Sequence, residues 1–470
     1  MSEAELCALG AVTAAAMFRA RKLSPVELME AVIRRAEATE PEINAFTYTH
    51  FDTAMEAARD AERAFMQGNA ETFGALAGLP VAVKDSGEIE GMPNSMGALA
   101  YRDHVGRRSS FANSRVLAAG AIVHARTATP EFSCAATCHT RLWGVSRNPH
   151  NPAYSPGGSS GGSGASLAAG STSLATGSDI AGSIRIPASC CGVVGYKPPH
   201  GRVPMDPPFN LDRYCHAGPM ARSVADAALL QTVLAGPHPE DITSLPAVPP
   251  LSTAMPELRG WRIAASFDLG FHEVDGDVRR NMAAALDLFR QMGCEVEEVA
   301  LPWTVSLQEA AFIHLAHFFG ASIAADMAGR EETMTPYARA FAEASRSITP
   351  QDHLRGLEAE AAAGAAFGRM MEGFDLFICP TTALPSVPAA FDHATDSLDI
   401  NGRPVDPFLG WLMTPAFNIL STRPVLAVPA GRAASGVPTG IQIVGRPFDD
   451  QSVFDAGLAF EAATGRFPAA

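Results

Sequence analysis

The sequence predicts an α/β fold in which a large β-sheet lies between two layers of helices. From Leu79 onward, short apolar segments bounded by glycine alternate with helical segments, a pattern typical of a largely parallel sheet. Apolar residues make up 47% of the chain and charged residues 18%, which is typical of a globular protein and excludes disorder. No linker, fixed-period repeat or low-complexity tract interrupts the 470 residues. We therefore expect one large domain.

Helices are expected to dominate the first 70 residues. The run Ser24-Pro25-Val26-Glu27 has the form of a capping box with proline at the first helical position, and apolar residues follow it at helical spacing. A second, alanine-rich helix is predicted from about Asp52 to Met66. We expect this second helix to pack on the outside of the protein.

The segments after Leu79 supply the predicted sheet and its covering helices. Strands are predicted at 81–84, 121–125, 173–179, 193–196, 261–267, 295–301, 374–382, 425–431 and 440–446. Helices are predicted from near Ser109, at 278–293, over most of 305–373, and from Asp450. We expect residues 305–373 to form a variable wall of the substrate pocket.

Charge and composition exclude several classes of partner. The chain has 50 acidic and 35 basic residues and a net charge of −15, which disfavours binding to nucleic acid and to anionic membrane surfaces. The N-terminus is too interrupted and too acidic for a signal peptide, and no apolar run reaches the roughly 20 residues of a membrane span. We therefore expect a cytoplasmic protein that acts on neutral or cationic small molecules.

The eight cysteines are scattered, and only Cys134, Cys138 and His139 form a cluster with the character of metal ligands. A zinc site there is one hypothesis, but no further ligand pair follows at the spacing of a zinc ribbon or finger. Free buried thiols in a reducing compartment are the favoured interpretation. No metal and no cofactor are expected.

Two serines and one lysine form the most informative constellation. Ser159 and Ser183 lie in glycine-rich segments 24 residues apart, and Lys84 ends the apolar run LPVAVK. A lysine can activate a serine nucleophile without histidine, provided that it is neutral. The reference pKa near 10.4 leaves few lysines neutral at pH 7, but burial penalises the ammonium form and lowers the pKa. A hydrolase is the leading hypothesis.

Three other interpretations of the glycine-rich segment are weaker. GGSSG at 157–161 fits a nucleophile elbow, but the preceding NPHNPAYSP contains three prolines and predicts a loop instead of the required strand. A phosphate-binding loop would need a lysine at P-loop spacing or a GxGxxG pattern, and neither occurs here. A flexible linker is disfavoured by the apolar sequence on both sides.

Taken together, these segments resemble the amidase signature family, and the resemblance spans nearly the whole chain. It is carried by LPVAVKD (79–85), NPHNPAYSPGGSSGGSGAS (148–166), GSDIAGSIRIPASCCGVVGYKP (177–198) and GPMARSVADAA (218–228), with weaker similarity at 379–388, 414–431 and 440–447. The resemblance implies an α/β/α sandwich around a large mixed β-sheet covered by helices on both faces. It also implies a single amidase domain over 1–470, with N-terminal helices at 1–70, a signature core at 71–230, and the remaining strands and the variable helical region at 231–470.

The resemblance also implies roles for individual residues. Ser183 matches the nucleophile, Ser159 the bridging serine that follows a cis peptide bond, and Lys84 the base. The oxyanion hole is implied to consist of the backbone amides of Ile180, Ala181, Gly182 and Ser183. Supporting hydrogen-bond roles are predicted for Ser160, Ser178, Asp179, Arg185 and, for orientation of the Lys84 loop, Asp85. Cys191 is expected to be a core residue.

The predicted reaction is hydrolysis of the C–N bond of a small carboxamide through a serine acyl-enzyme, with water as the second substrate. Esters, anilides and carbamates are reachable by the same steps, and aryl or alkyl amides are favoured by apolar side chains predicted to line the pocket: Phe132, Trp143, Met205, Phe209 and Tyr214. His216 is a further candidate lining residue. Ala181 stands where the family usually has glycine and is expected to narrow the acyl side of the pocket.

The alternative function is that of the glutaminase subunit of a tRNA-dependent amidotransferase. A homodimer is usual for the family.

Overall fold

A computed structural model describes residues 1–68 and 74–465 of the chain. In this part of the chain, eleven strands form one sheet in the order β1-β3-β2-β6-β8-β7-β14-β15-β11-β9-β10, and two pairs of strands form small hairpins. The sheet strands are β1 Phe46–Thr49, β2 Pro80–Lys84, β3 Ile122–Thr127, β6 Leu174–Asp179, β7 Val194–Lys197, β8 His216–Ala221, β9 Arg262–Ala265, β10 Glu295–Glu298, β11 Leu376–Pro380, β14 Val425–Arg432 and β15 Pro438–Val444. The hairpins are β4 His139–Thr140 with β5 Gly144–Val145, and β12 Leu398–Ile400 with β13 Arg403–Val405.

The described helices are α1 Glu3–Cys7, α2 Ala11–Arg19, α3 Pro25–Ile43, α4 Phe51–Met66, α5 Phe111–Ala118, α6 Gly161–Ala169, α7 Arg185–Cys191, α8 Val224–Leu234, α9 Gly276–Gln291, α10 Val305–Leu315, α11 Ala321–Asp326, α12 Pro336–Ala344, α13 Pro350–Met370, α14 Ala416–Ile419 and α15 Asp450–Thr464. From β2 onward, strands and helices follow one another along the described chain, with four consecutive helices, α10 to α13, between β10 and β11. A turn of π-helix, Ala316–Gly320, joins α10 to α11. Within the described residues, no helix is both long enough and apolar enough to span a bilayer.

Both faces of the sheet are covered, as expected from the fold class. In β14, Leu426 and Val428 belong to one buried cluster and Ala427 to another, which is the alternation of a strand with two covered faces. The cluster on the first face includes residues of α8, α9 and α15, and the cluster on the second face includes residues of α6 and α7. The mixed α/β/α sandwich implied by the resemblance is therefore confirmed.

The expectation of a largely parallel sheet is wrong. Among the ten neighbouring strand pairs of the sheet, four are parallel and six are antiparallel. Five of the six antiparallel pairs occupy the middle of the sheet, where β14 and β15 form a hairpin and β8 runs against both β6 and β7. Alternation of strands and helices along the chain does not reveal a strand that returns antiparallel, and β8 was not among the predicted strands.

The N-terminal region differs from the sequence prediction in one element. The capping box at Ser24 is present, and α4 coincides with the predicted second helix. Between these helices, however, β1 pairs antiparallel with β3 at the edge of the sheet, so the first 70 residues are not wholly helical. The predicted boundary between residues 70 and 71 lies outside the described residues.

Candidate active site

The candidate site lies at the carboxyl ends of β2 and β6, which are parallel neighbours in the sheet. Lys84 is the last residue of β2 and Asp179 is the last residue of β6, so the carboxyl ends of both strands meet there. The antiparallel strand β8 begins beside these strand ends, and its first residue, His216, lies opposite Asp179. Side chains from three different parts of the sequence are thereby brought together.

Lys84 is buried and bonded to two hydroxyl groups. Its side chain is 2% exposed, and Nζ lies 2.6 Å from Oγ of Ser159 and 2.9 Å from Oγ of Ser178. Burial lowers the pKa of Lys84 to about 7, against the weaker opposing influence of Cys138 and Asp179. A substantial fraction of the amine is therefore neutral near pH 7 and can accept a proton.

Ser159 and Ser183 line the same cavity as Lys84. The peptide bond between Gly158 and Ser159 is cis, as the resemblance implied. The two segments are tied together through the backbone, since the N–H of Ser160 donates to the carbonyl oxygen of Ser183 (3.1 Å). Among the described contacts, the hydroxyl of Ser159 has a hydrogen bond to Lys84, whereas no hydrogen bond joins the hydroxyls of Ser159 and Ser183.

Asp179 and Arg185 form a buried ion pair that braces the turn carrying Ser183. Nε and Nη2 of Arg185 each lie 2.9 Å from a carboxylate oxygen of Asp179. Burial alone would raise the pKa of Asp179, but the Arg185 charge and the hydrogen bonds from Arg185 and Asn418 outweigh it and hold the pKa well below its usual range. The remaining N–H groups of Arg185 reach Thr414 O, Gln442 Oε1 and Asn418 Oδ1. Every donor of this guanidinium is therefore satisfied, which a buried charge requires.

The loop 180–183 presents three of the four predicted oxyanion donors. The N–H of Gly182 donates to Oδ1 of Asp179 at 2.7 Å, so it is already engaged and does not point to an oxyanion. For the N–H groups of Ile180, Ala181 and Ser183, no acceptor occurs among the described residues. The N–H of Gly182 is therefore engaged within the loop, whereas no described residue accepts from the other three amides, and their role in an oxyanion hole stays a prediction.

Glycine is needed at position 182 for two reasons. Its φ of +121° is rarely adopted by other residues, and a Cβ atom there would lie 2.0 Å from Oγ1 of Thr414. Thr414 also donates its hydroxyl to the carbonyl oxygen of Ala181 (2.6 Å). The loop is therefore clamped between the Asp179 carboxylate and the Thr414 hydroxyl.

Asp85 and Ser160 have supporting positions. The carboxylate of Asp85 accepts hydrogen bonds from the N–H and the hydroxyl of Ser95, at 2.9 and 2.5 Å. Burial raises the pKa of Asp85 to about 6, and the Arg126 charge opposes the shift. Oγ of Ser160 accepts from the N–H of Ser178 (3.3 Å), which links it to the second hydroxyl partner of Lys84.

The cavity lined by Lys84, Ser159 and Ser183 has a volume of about 260 Å³ and a largely apolar wall. Phe132, Met205, Phe209 and His216 line it as predicted. Two other predictions are wrong, because their side chains are directed elsewhere. The indole N–H of Trp143 donates to Ser95 Oγ (2.9 Å), and the hydroxyl of the fully buried Tyr214 donates to Glu360 (2.5 Å).

The residues of the zinc hypothesis make separate contacts. Sγ of Cys138 lies 3.5 Å from Oγ of Ser146, and Nε2 of His139 lies 3.0 Å from the carbonyl oxygen of Phe391. Burial raises the pKa of the Cys138 thiol to about 11, and that of Cys134 rises well above its usual range for the same reason. Buried thiols of this kind are poor metal ligands and poor nucleophiles.

Sequence reasoning missed the residues that hold the Asp179–Arg185 pair from the far side. Thr414, Asn418 and Gln442 all contact it, although they lie more than 200 residues away in the chain. The available signal was the presence of single polar residues within the otherwise apolar segments 411–420 and 437–444. Phe319, on the π-helical turn, also lines the cavity and was not predicted.

Comparisons with known proteins bear on the family and the fold of the chain. A family model described as Amidase matches residues 27–454. A glutamyl-tRNA(Gln) amidotransferase subunit of Anaeromyxobacter dehalogenans is 33% identical, with 99% of this chain and 98% of that protein aligned. An acylamidase of Rhodococcus erythropolis is 31% identical over 98% of this chain and 97% of its own length. The crystal structure of a bacterial aryl acylamidase of the amidase signature enzymes superimposes with a TM-score of 0.88 at 30% identity, covering 97% of this chain and 96% of that one.

Proposed function

The chain belongs to the amidase signature family, and on this premise we propose that it hydrolyses small aryl or alkyl carboxamides through an acyl-enzyme on Ser183. The observation that carries the proposal is the 2.6 Å hydrogen bond between Lys84 and Ser159, inside the cavity that Ser183 also lines. A buried amine with a pKa near 7 is suited to general-base catalysis near neutral pH. Hydrolysis of a C–N amide bond follows from the family and its acylamidase members.

In the first half of the reaction, Ser183 Oγ attacks the carbonyl carbon of the amide. Its proton passes to Ser159 Oγ while the Ser159 proton passes to neutral Lys84, so the bridging hydroxyl is unchanged. This step needs a hydrogen bond between the two serine hydroxyls, which rotation of the Ser183 side chain about its Cα–Cβ bond supplies when substrate binds. The negative charge that develops on the carbonyl oxygen is stabilised by the amides of Ile180, Ala181 and Ser183.

In the second half, the relay first runs in the opposite direction and then repeats for the attack of water. The C–N bond breaks as Lys84 returns the proton through Ser159 to the leaving nitrogen, which departs as ammonia or an amine. Water then attacks the Ser183 ester, and its proton passes through Ser159 to Lys84. The ester bond to Ser183 Oγ breaks as Lys84 returns this proton through Ser159 to Ser183 Oγ, and a carboxylic acid is released. The enzyme regains its starting protonation state, so the cycle needs no cofactor.

The lining of the cavity supports a substrate without a carboxylate. Of the described residues that line it, Lys84 is the only lysine or arginine. The carboxylate of Asp206, another lining residue, pairs with Arg108 at 3.1 Å. A free glutamine would bring an α-carboxylate into this cavity and find no arginine to receive it. This arrangement favours neutral amides over the glutaminase alternative.

The glutaminase function is the second candidate, because an amidotransferase subunit aligns with 99% of this chain. In that case the chain would depend on partner subunits, whereas an independent amidase would not. We further propose that residues 1–470 act as one amidase domain, since one sheet contains strands from Phe46 to Val444. A cytoplasmic location and a homodimer stay predictions.

The central experiment compares serine variants of the purified full chain on a panel of simple anilides, amides, esters and carbamates. We expect Ser183→Ala to lower kcat by at least about 10³-fold, because the acyl-enzyme can no longer form. Ser159→Ala should lower kcat by about 10²–10⁴-fold, because the relay is interrupted. Ser189→Ala is the matched control, since Ser189 lies in α7 with a buried hydroxyl that has no hydrogen-bond partner among the described residues.

Labelling gives an independent readout of the nucleophile. A fluorophosphonate probe should attach to Ser183 in the wild-type chain and in Ser189→Ala, and mass mapping of the adduct identifies the residue. An adduct on another residue, or unchanged turnover by Ser183→Ala, contradicts the proposal. The alternative would be favoured if glutamine were the only substrate cleaved and were cleaved only after amidotransferase partner subunits were added.

A further inference from the structure

Two cavities meet at the proposed nucleophile. The larger, about 260 Å³, contains Lys84 and Ser159. The smaller, about 30 Å³, is lined mainly by apolar side chains and by the loop residue Ala181. Both are lined by Ser133, Ile180, Ser183 and Phe319. A substrate whose carbonyl carbon sits at Ser183 can therefore extend one substituent into each cavity.

Proton transfer decides which substituent enters which cavity. When the C–N bond breaks, the leaving nitrogen must receive a proton from the Lys84–Ser159 relay, so it must face these two groups. Both line the larger cavity and neither lines the smaller one. The amine portion therefore belongs in the larger cavity, and the acyl portion extends into the smaller one.

The volumes set the size of each portion. A dry apolar cavity of about 150 Å³ accepts a benzene molecule, and about 10–15 Å³ accepts one water-sized group. The larger cavity, about 260 Å³, therefore accommodates a substituted aromatic ring, whereas the smaller, about 30 Å³, accommodates a methyl or ethyl group. The Ala181 methyl, on the wall of the smaller cavity, further limits its width.

Phe319 is the largest of the four residues that line both cavities. Its ring contacts Phe209 of the larger cavity edge to face, with centroids 5.8 Å apart, and Phe341 of the smaller cavity, with centroids 5.9 Å apart. It lies on the π-helical turn Ala316–Gly320, and such turns are frequent at functional sites. Truncation of this ring would connect the two cavities.

We propose that Phe319 limits the size of the acyl group together with the Ala181 methyl, and that the preferred substrates are N-aryl amides of two- or three-carbon acids. This inference rests on the proposed amidase function and adds to it a substrate class and a specificity-determining side chain. Phe319 acts by filling space between the acyl and amine sites. It takes no part in proton transfer, so its removal should change chain-length preference more than it changes turnover of the acetyl substrate.

The test uses the full-length enzyme and a series of 4-nitroanilides of acetic, propionic, butyric and hexanoic acids, which share one leaving group. For the wild type, kcat/KM should fall at least about tenfold between the propionyl and hexanoyl substrates, because the longer chain does not fit. In Phe319→Ala, the ratio of kcat/KM for hexanoyl over acetyl substrate should rise at least about tenfold. Phe319→Leu should give an intermediate ratio and covers the case in which the alanine variant fails to fold.

Phe318→Ala is the matched control. Phe318 is the preceding residue of the same turn and also packs against Phe209, with centroids 5.6 Å apart, but it lines neither of the two cavities. Its substitution should leave the chain-length ratio unchanged. A wild type that cleaves hexanoyl and acetyl anilides equally well, or a ratio that is the same in both Phe319 variants as in the wild type, overturns the inference and leaves the amidase function intact. Failure of the wild type to cleave any amide contradicts the proposed function itself.

Discussion

Two lysines lie near the Ser183 loop, and both are buried in the protein. Lys84 is 2% exposed and Lys197 is 0% exposed, and each ends a strand of the same sheet. Burial lowers the pKa of both side chains, and the Arg185 charge adds to the effect at Lys197. Only Lys84, however, lines the cavity that holds Ser159 and Ser183.

The hydrogen-bond partners of the two amines differ in kind. Lys84 faces two hydroxyl groups, which can both donate and accept. Nζ of Lys197 donates to the carbonyl oxygens of Pro198 (3.1 Å) and Arg423 (3.0 Å), which can only accept. Its third neighbour is Nε2 of His216 at 3.4 Å, and this ring donates from Nδ1 to the carbonyl oxygen of Tyr214 (2.7 Å). In this arrangement, none of the three neighbours offers a proton to Lys197.

The difference shows that a lowered lysine pKa does not by itself identify a catalytic base. A base also needs a partner from which it can take a proton, and that partner must face the substrate. Lys84 meets both conditions, whereas none of the three neighbours of Lys197 offers it a proton. We therefore interpret Lys197 as a structural residue that holds the ends of β7 and β8 and the segment at Arg423 together. The same substitution at each lysine tests this comparison.

Lys84→Met has the largest expected effect on activity. Methionine fills the buried space without supplying a base, so kcat/KM for a 4-nitroanilide should fall by about 10²–10⁴-fold. The melting temperature should be unchanged or higher, because a buried amine is costly to desolvate and catalytic groups are commonly held at the expense of stability. An activity loss smaller than tenfold in a folded Lys84→Met variant would remove Lys84 from the mechanism.

The pH dependence of kcat/KM is the next largest effect. Because burial lowers the pKa of Lys84 to about 7 and only the neutral amine acts as a base, activity should rise with pH up to about 7 and then level off. Below pH 7 we expect a loss of about tenfold per pH unit. The pKa of Asp206, on the cavity wall, is raised by burial, so Asp206→Asn is the control for this group. A midpoint that disappears in Asp206→Asn would assign the titration to Asp206 instead of Lys84.

Lys197→Met should act on stability instead of activity. The substitution leaves the carbonyl oxygens of Pro198 and Arg423 without their donor, at a cost of about 1–3 kcal/mol for each unpaired group. We therefore expect a lower melting temperature than in Lys84→Met, with kcat/KM of the folded enzyme within about fivefold of wild type. Thermal unfolding and kinetics measured on the same preparation separate the two effects. A stable but inactive Lys197→Met variant would show that the comparison between the two lysines is wrong.

The contrast between the lysines also indicates what the sequence could and could not predict. Lys84 was predicted from the apolar run before it and from the motifs around Ser159 and Ser183. Lys197 lies in the motif GYKP, yet nothing in one sequence shows that its amine meets carbonyl groups from Arg423, 226 residues away. The layers of the fold followed from the alternation of strands and helices, whereas periodicity revealed neither the antiparallel pairs nor the strand β8. Contacts such as Thr414 with Ala181 depend on this tertiary arrangement and could not be derived locally.

Ser178→Ala should have the smallest effect of these substitutions, and it tests whether Lys84 needs both of its hydroxyl partners. It removes one of the two hydroxyl partners of Lys84 (2.9 Å) and leaves the Ser159 contact in place. Loss of one neutral hydrogen bond costs about 0.5–1.5 kcal/mol, so we expect kcat to fall by about two- to tenfold. KM should change little if Ser178 only orients the amine, and the midpoint of the pH profile should shift by less than about one unit. A loss as large as that of Ser159→Ala would mean that Ser178 also takes part in proton transfer and does not only orient the amine.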